Sequence, residues 1–197
     1  MKKLLILILL ITFNVTYSQE YNQHSLIKVK ERGEYLALSY GMTKVNDITS
    51  GIIGIRMMGI TNHTWAMGLS VNGIFTGKEP YLDNNRQAKY FGGYGGFLLQ
   101  PTIFSHWVLH LSPSAAIGGG WLGLYEIQDD NYRTYTDQES IFGYFQPGLE
   151  IEMNVTETFR MAFGVHYMMK YNINDWSDID PKIDELSFII YLKWGRF

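Results

Sequence analysis

Eight separate runs of the chain alternate large apolar with small or polar side chains, and that two-residue period confines the fold to β-strands. The runs lie at residues 33–42, 48–59, 64–75, 88–99, 106–121, 141–153, 158–171 and 185–197. In the fifth, Trp107, Leu109, Leu111, Ala115, Ile117 and Trp121 share one face, while His110, Ser112, Ser114, Ala116, Gly118 and Gly120 share the other. In the seventh, Phe159, Met161, Phe163, Val165, Tyr167, Met169 and Tyr171 oppose Arg160, Ala162, Gly164, His166 and Lys170. The fourth run carries Gly92, Gly93, Gly95 and Gly96, and its phase is the least defined.

The connections alternate in length. Those near 60–63, 100–105 and 154–157 are short, whereas those near 76–87, 122–140 and 172–184 are longer and polar, and only the one near 43–47 breaks the pattern by being brief. Short turns at one end and long loops at the other, joining an even number of strands, predict an all-β fold: an eight-stranded antiparallel up-and-down transmembrane β-barrel over residues 33–197. Each run is long enough to cross a bilayer at a tilt.

A soluble barrel would turn the apolar face inward and the polar face to water. Two features favour lipid. The non-apolar face is mostly glycine, alanine and serine, where a water-facing wall calls for many lysines and glutamates. The apolar face also carries aromatics near its two ends: Trp65, Trp107, Phe159 and Trp194 beside the short turns, and Tyr40, Phe75, Trp121 and Tyr171 beside the loops. Two aromatic rings in one phase are what the two membrane interfaces select.

The first residues read as a leader. Lys2 and Lys3 precede an apolar core from Leu4 to Phe13, and Thr16-Tyr17-Ser18 places small residues where a signal peptidase reads. Residues 1–18 are expected to be removed, which takes the formal charge from −3 to −5. Residues 19–32 form a polar periplasmic segment, either a disordered lead or a plug for the lumen. There are no cysteines, which excludes disulfides, a thiol nucleophile and a lipid-anchoring cysteine. No basic stripe points to nucleic acid.

The Tyr17-Ser18-Gln19 cleavage region, the glycine-rich strand Tyr90–Phe97 and the terminal Leu192-Lys193-Trp194-Gly195-Arg196-Phe197 together resemble the small outer-membrane β-barrel proteins common in Bacteroidetes. The resemblance covers the whole chain. It implies residence in the bacterial outer membrane, contact with its lipid, and a C-terminal phenylalanine read by the barrel-assembly machinery. One departure stands out: Phe197 is one residue out of phase with Trp194 and Leu192, and a bulge near Gly195 would restore it.

Polar residues assigned to the lumen are Arg56, Glu150, Glu152, Arg160, His166, Lys170 and Lys193. Arg56, Glu150, Glu152, Arg160 and Lys193 are expected to form an interior ion-pair network, since buried charges normally pair. The turn near 154–157 would set Glu150 or Glu152 across from Arg160, and the turn near 61–62 would set Arg56 against Ala66 or Gly68. A hydrolase reading rests on His110 and Ser112, two apart on the lumen face. Outer-membrane lipid A deacylases, small barrels with a late-strand His-x-Ser, look similar, but here that place reads His166-Tyr167-Met168 and lacks the nucleophile. No catalytic residues, cofactor or metal are therefore assigned. His106 and His110 would share a strand face about 13 Å apart at roughly 3.3 Å per residue, too far to ligate one ion. The expected function is that of a non-enzymatic barrel acting through its loops or wall, with another envelope protein as a candidate partner. A lipid-modifying hydrolase and a narrow channel are the alternatives, the latter disfavoured because eight strands leave little open lumen.

Overall fold

The computed structural model describes residues 31–45, 47–77, 79–80, 87–128, 132–173 and 186–197. The strands are β1 (Arg32–Val45), β2 (Ile48–Thr61), β3 (Trp65–Thr76), β4 (Glu79–Pro80), β5 (Gln87–Pro101), β6 (Leu109–Gln128), β7 (Tyr132–Asn154), β8 (Phe159–Tyr167), β9 (Met169–Asn172) and β10 (Leu186–Arg196). Every pairing among them is antiparallel. β3 pairs both β2 and β5, and β1 pairs both β2 and β10, so the sheet closes on itself. Because β9 prolongs β8 and the two-residue β4 is an appendage of β5, the wall is an eight-stranded up-and-down barrel.

The side-chain alternation of the sequence maps onto the two faces of this wall. Leu36, Leu38, Tyr40 and Met42 of β1 are exposed, and Ala37, Ser39 and Thr43 between them are buried. β10 repeats this with Leu186, Phe188 and Ile190 outside and Ser187, Ile189 and Tyr191 inside. The glycine-rich β5 takes a definite phase: Phe91 and Phe97 face out, Tyr94, Leu98 and Gln100 face in. The distribution is the reverse of a water-soluble protein. Leu69, Val71 and Ile117 are each at least 60% exposed, while Arg56, Glu150, Glu152 and Lys193 are at most 5% exposed.

Several boundaries differ from the sequence reading. The stretch 122–140, expected as a loop, is a paired ribbon that carries β6 and β7 beyond the barrel to Gln128↔Tyr132, with a register shift between Gly123 and Tyr125. Tyr125, Ile127, Tyr132, Thr134 and Tyr135 are strand formers, and their preference outweighs the polar residues among them. Trp121 therefore lies within β6 and not at its end. The other end of β6 also moves, to Leu109, so Trp107 and His106 sit in the preceding turn and the two histidines do not share a strand face. On the β5 side prolines end the pairing earlier still. The β5–β6 register brings Pro101 opposite Pro113, where neither offers an N–H, and the ladder stops at Leu99↔Ala115 with a lone bridge at Ile103↔Leu111 beyond. Pro147 acts in the same way on β7, whose pairing lapses between Gly148↔His166 and Phe145↔Met169 and so separates β8 from β9.

At the β2–β3 hairpin Asn62 and His63 both have left-handed φ, 53° and 55°. Asn62, His63 and Thr64 lie between the paired Thr61 and Trp65, and the Thr64 N–H donates to the Thr61 carbonyl at 3.2 Å, closing a tight turn over the two left-handed residues. No bulge corrects the phase of Phe197: the β1–β10 register runs unbroken through Tyr35↔Gly195 to Glu34↔Arg196. Phe197 instead turns to the lumen side, its ring 5.5 Å from that of Tyr35 and under the Arg160 guanidinium at 3.9 Å. The leader and nearly all of the polar segment 19–32 lie outside the described residues, as do Asp129, Asp130 and the acidic positions of 174–185.

Candidate functional site

The lumen holds a cross-barrel cluster of charges. Glu150, wholly buried on β7, accepts from the Arg56 guanidinium of β2 at 2.5 Å and from the Lys193 ammonium of β10 at 2.8 Å. Lys193 also donates to Glu152 at 2.7 Å and approaches the Gln100 side-chain oxygen at 3.5 Å. Glu152 lies 3.8 Å from Arg160 and 3.4 Å from His110 Nε2. Tyr191 accepts from Arg56 at 2.5 Å and stands 2.8 Å from His166 Nε2, while the guanidinium sits 3.9 Å above its ring. The Tyr35 hydroxyl donates to Gln100 at 2.7 Å.

Strand geometry explains which groups meet. Neighbouring strands do not provide the main contacts. Arg56 is registered against Ser70, beyond Ala66 and Gly68, because the three-residue loop Asn62-His63-Thr64 sets Thr61 opposite Trp65. Glu150 and Glu152 are registered against Gly164 and Ala162, and the residue opposite Arg160 on β7 is Asn154. Arg160 reaches Glu152 only diagonally. Small neighbours leave the lumen open at Glu150, and long side chains from β2 and β10 cross it to reach the carboxylates. In so narrow a barrel the far wall is within reach of an arginine or a lysine. Tyr35 and Gln100 were missed by the sequence reading. Tyr35 stands in the lumen phase of β1, two before Ala37, and Gln100 lies just past the predicted end of its strand.

The charges of the cluster are paired across the lumen, and the histidine and serine of the hydrolase reading lie inside the wall. Ser112 is wholly buried, its hydroxyl 3.4 Å from that of Thr102, and His110 points to Glu152 and to the Trp107 carbonyl. No group of three or more potential metal ligands occurs among the described residues. The packing is close. A Cβ at Gly148 would overlap His166 Nδ1, so that glycine leaves the space the imidazole fills. Gly148→Ala is expected to push His166 off Tyr191 and to cost about 1–3 kcal/mol by overpacking, measured by urea unfolding.

The aromatics of the outer wall fall in two regions. Phe159 and Trp194 are registered partners with rings 5.2 Å apart, and Trp65 is exposed beside Pro101. Trp107, in its turn, stacks at a tilt on Phe104. Toward the loop end Phe75 is registered with Phe91, whose ring meets Trp121 edge-on at 6.0 Å, and Tyr40 and Tyr171 are each more than half exposed.

No family model and no curated protein matches the chain. Solved structures do. Neisserial surface protein A shares 11% identity over 86% of this chain and 99% of its own, at a TM-score of 0.44. A major outer membrane protein from Thermus thermophilus shares 8% identity over 82% and 98%, at 0.49. Ail, the attachment invasion locus protein of Yersinia pestis, shares 12% over 85% and 99%, at 0.43. The likeness is one of barrel architecture.

Proposed function

We propose that the chain is a bacterial outer-membrane barrel, delivered by the leader at 1–18, that works without catalysis through its loop-end hairpins and its lipid-facing wall. The observation that carries this reading is the inverted distribution of side chains: an outer surface of leucine, isoleucine, methionine and phenylalanine around a charged interior. An exposed apolar surface that encircles the molecule is stable only in lipid. The even strand count and the two aromatic regions of the wall support the same placement. The partners that follow are the membrane lipid, the assembly machinery during insertion, and an envelope protein met at the loop end. The kinship with Bacteroidetes barrels rests on the cleavage region at 17–19, the glycine-rich strand Tyr90–Phe97 and the terminal residues, and 19–32 is a polar periplasmic segment in this reading.

The lumen argues against the channel alternative. Glu150 and Lys193 are wholly buried, and the bridges from Arg56 through Glu150 and Lys193 to Glu152 cross the bore from β2 to β7 and β10. The hydrolase alternative needs a serine that lipid can reach, and Ser112 is sealed inside.

The membrane reading is tested by fractionation. The mature protein is expected in the membrane pellet, soluble only in detergent, and its unboiled form is expected to migrate differently from the boiled one on a denaturing gel. Recovery in the aqueous fraction without detergent would overturn the placement and the function built on it.

A further inference from the structure

The turn between β5 and β6 is not polar, as connections usually are. Residues 102–108 hold no Asp, Glu, Lys or Arg, and Phe104, Trp107 and Val108 are each more than half exposed. Hydrogen bonds fix this display. The Thr102 N–H donates to the Thr64 carbonyl at 2.6 Å, and the Trp107 N–H to the Phe104 carbonyl at 2.9 Å. Asn154 donates its N–H to the Val108 carbonyl at 3.0 Å and its side-chain amide to the Trp107 carbonyl at 3.2 Å. The turn is thereby tied to the β2–β3 loop on one side and to the end of β7 on the other. Phe104 holds φ at 62°, a left-handed conformation uncommon for a bulky residue, with its ring against that of Trp107. Apolar side chains held outward by a fixed backbone call for something to cover them.

The rim across the barrel has the opposite chemistry. Around the wall the strands run β1, β2, β3, β5, β6, β7, β8, β10, so the β5–β6 turn stands diametrically opposite the β1–β10 seam that closes the barrel. At the turn end of that seam Glu31, Arg32, Glu34 and Arg196 are exposed, and Glu34↔Arg196 is the last registered pair. The apolar wall stops there at Leu36↔Trp194, the next pair on the outer face. On the far side it runs from Ile117 through Leu109 into Val108 and Trp107 without meeting a charge. The lower margin of the apolar surface is therefore slanted. It ends short of the strand termini at the seam and takes in the whole turn on the far side.

We propose that the 102–108 turn is a membrane anchor, seated where headgroups meet acyl chains in the leaflet at the turn end, so that the barrel stands tilted with its β5–β6 side sunk deeper than its β1–β10 seam. Continuity with the wall identifies lipid as the cover, since no polar boundary separates Trp107 and Val108 from Leu109. The indole of Trp107, with Ser105 and His106 in the same turn, suits a zone that is apolar on one side and wet on the other. The proposal rests on the outer-membrane reading and adds to it a fixed orientation in the bilayer.

The chain has no cysteine, so single-cysteine variants can each carry one nitroxide label. Val108→Cys reports on the turn, Glu34→Cys on the seam and Leu69→Cys on the middle of the wall. The mature full chain is placed in phosphatidylcholine nanodiscs, one barrel to a disc. Collisions of each label with oxygen, which concentrates in lipid, and with a water-soluble nickel chelate are read by electron paramagnetic resonance. The label at 108 is expected to favour oxygen over nickel several-fold more than the label at 34. Phe104→Gly with Trp107→Ser, added to Val108→Cys, removes both rings while glycine keeps the left-handed backbone. It should bring nickel collisions at 108 up to the level seen at 34. Gel mobility without boiling verifies that each variant is folded. Equal ratios at 108 and 34, or a ratio at 108 that survives the loss of both rings, overturns the anchor. A label at 108 shielded from both reagents also overturns it, since protein would then be the cover. Leu69 keeps the two readings apart: preference for oxygen there leaves the membrane reading standing whatever 108 shows, and nickel access there overturns both.

Discussion

Glu150→Ala is expected to cost about 3–5 kcal/mol of folding stability, because removing one partner of a buried ion pair leaves its counter-charge stranded. Two cations depend on this carboxylate, Arg56 at 2.5 Å and Lys193 at 2.8 Å, and all three side chains are at most 6% exposed. Lys193 retains Glu152 at 2.7 Å, so the loss falls chiefly on Arg56, which among the described residues keeps the Tyr191 hydroxyl and ring. Replacing both members as Arg56→Met with Glu150→Met removes the stranded charge and should recover most of the loss. Urea unfolding in detergent micelles, followed by tryptophan fluorescence, reads all three variants. The exposed Glu31–His63 pair at the turn end is the control, and Glu31→Ala should change stability by about 0.5 kcal/mol or less. Equal losses in the single and the double variant would mean that the cluster fills space without any charge being stranded.

What the sequence made legible follows from how local each feature is. Leu36, Leu38 and Tyr40 alternate with Ala37 and Ser39 because one face meets a uniform apolar medium, and that requirement is written into every residue of the strand. Strand ends are less local. Pro101, Pro113 and Pro147 interrupt ladders only where the register puts them opposite a group that needs their missing N–H, and register depends on the turns. The ribbon from Leu122 to Ser140 was obscured for the opposite reason: acidic residues at its tip resemble a loop, while Tyr125 and Ile127 hold a ladder with Tyr135 and Arg133. The lumen cluster is the least local feature. Arg56 and Glu150 are 94 residues apart and on strands that do not touch, so their meeting depends on barrel diameter and strand stagger. Phase could place each of them inside, but not against each other. Phe197 shows the limit of a motif: its position in the chain suggested a lipid-facing signal, and the unbroken β1–β10 register turns it inward to Tyr35 and Arg160.

A charge placed midway along the outer wall separates a membrane barrel from a soluble one more sharply than any lumen variant. Leu69 of β3 is 61% exposed and stands between Trp65 and Phe75, the aromatics at either end of its strand. In water an arginine at so exposed a position would alter stability by about 0.5 kcal/mol or less, since it meets no packed neighbours. At the bilayer midplane the same Leu69→Arg is expected to cost about 2–4 kcal/mol, because the guanidinium must leave water or drag it inward. Depth supplies the internal control. Val155 is 46% exposed in the turn that follows β7, and Val155→Arg there should cost about 0–1 kcal/mol, the value for a charge at the interface. Folding into phospholipid vesicles from urea measures both. A large loss at Leu69 with little at Val155 requires a gradient of polarity along the wall, which only a bilayer imposes on a surface already exposed. Equal and small effects at the two positions would mean that water bathes the whole wall, and the apolar exterior would then need a protein partner to cover it.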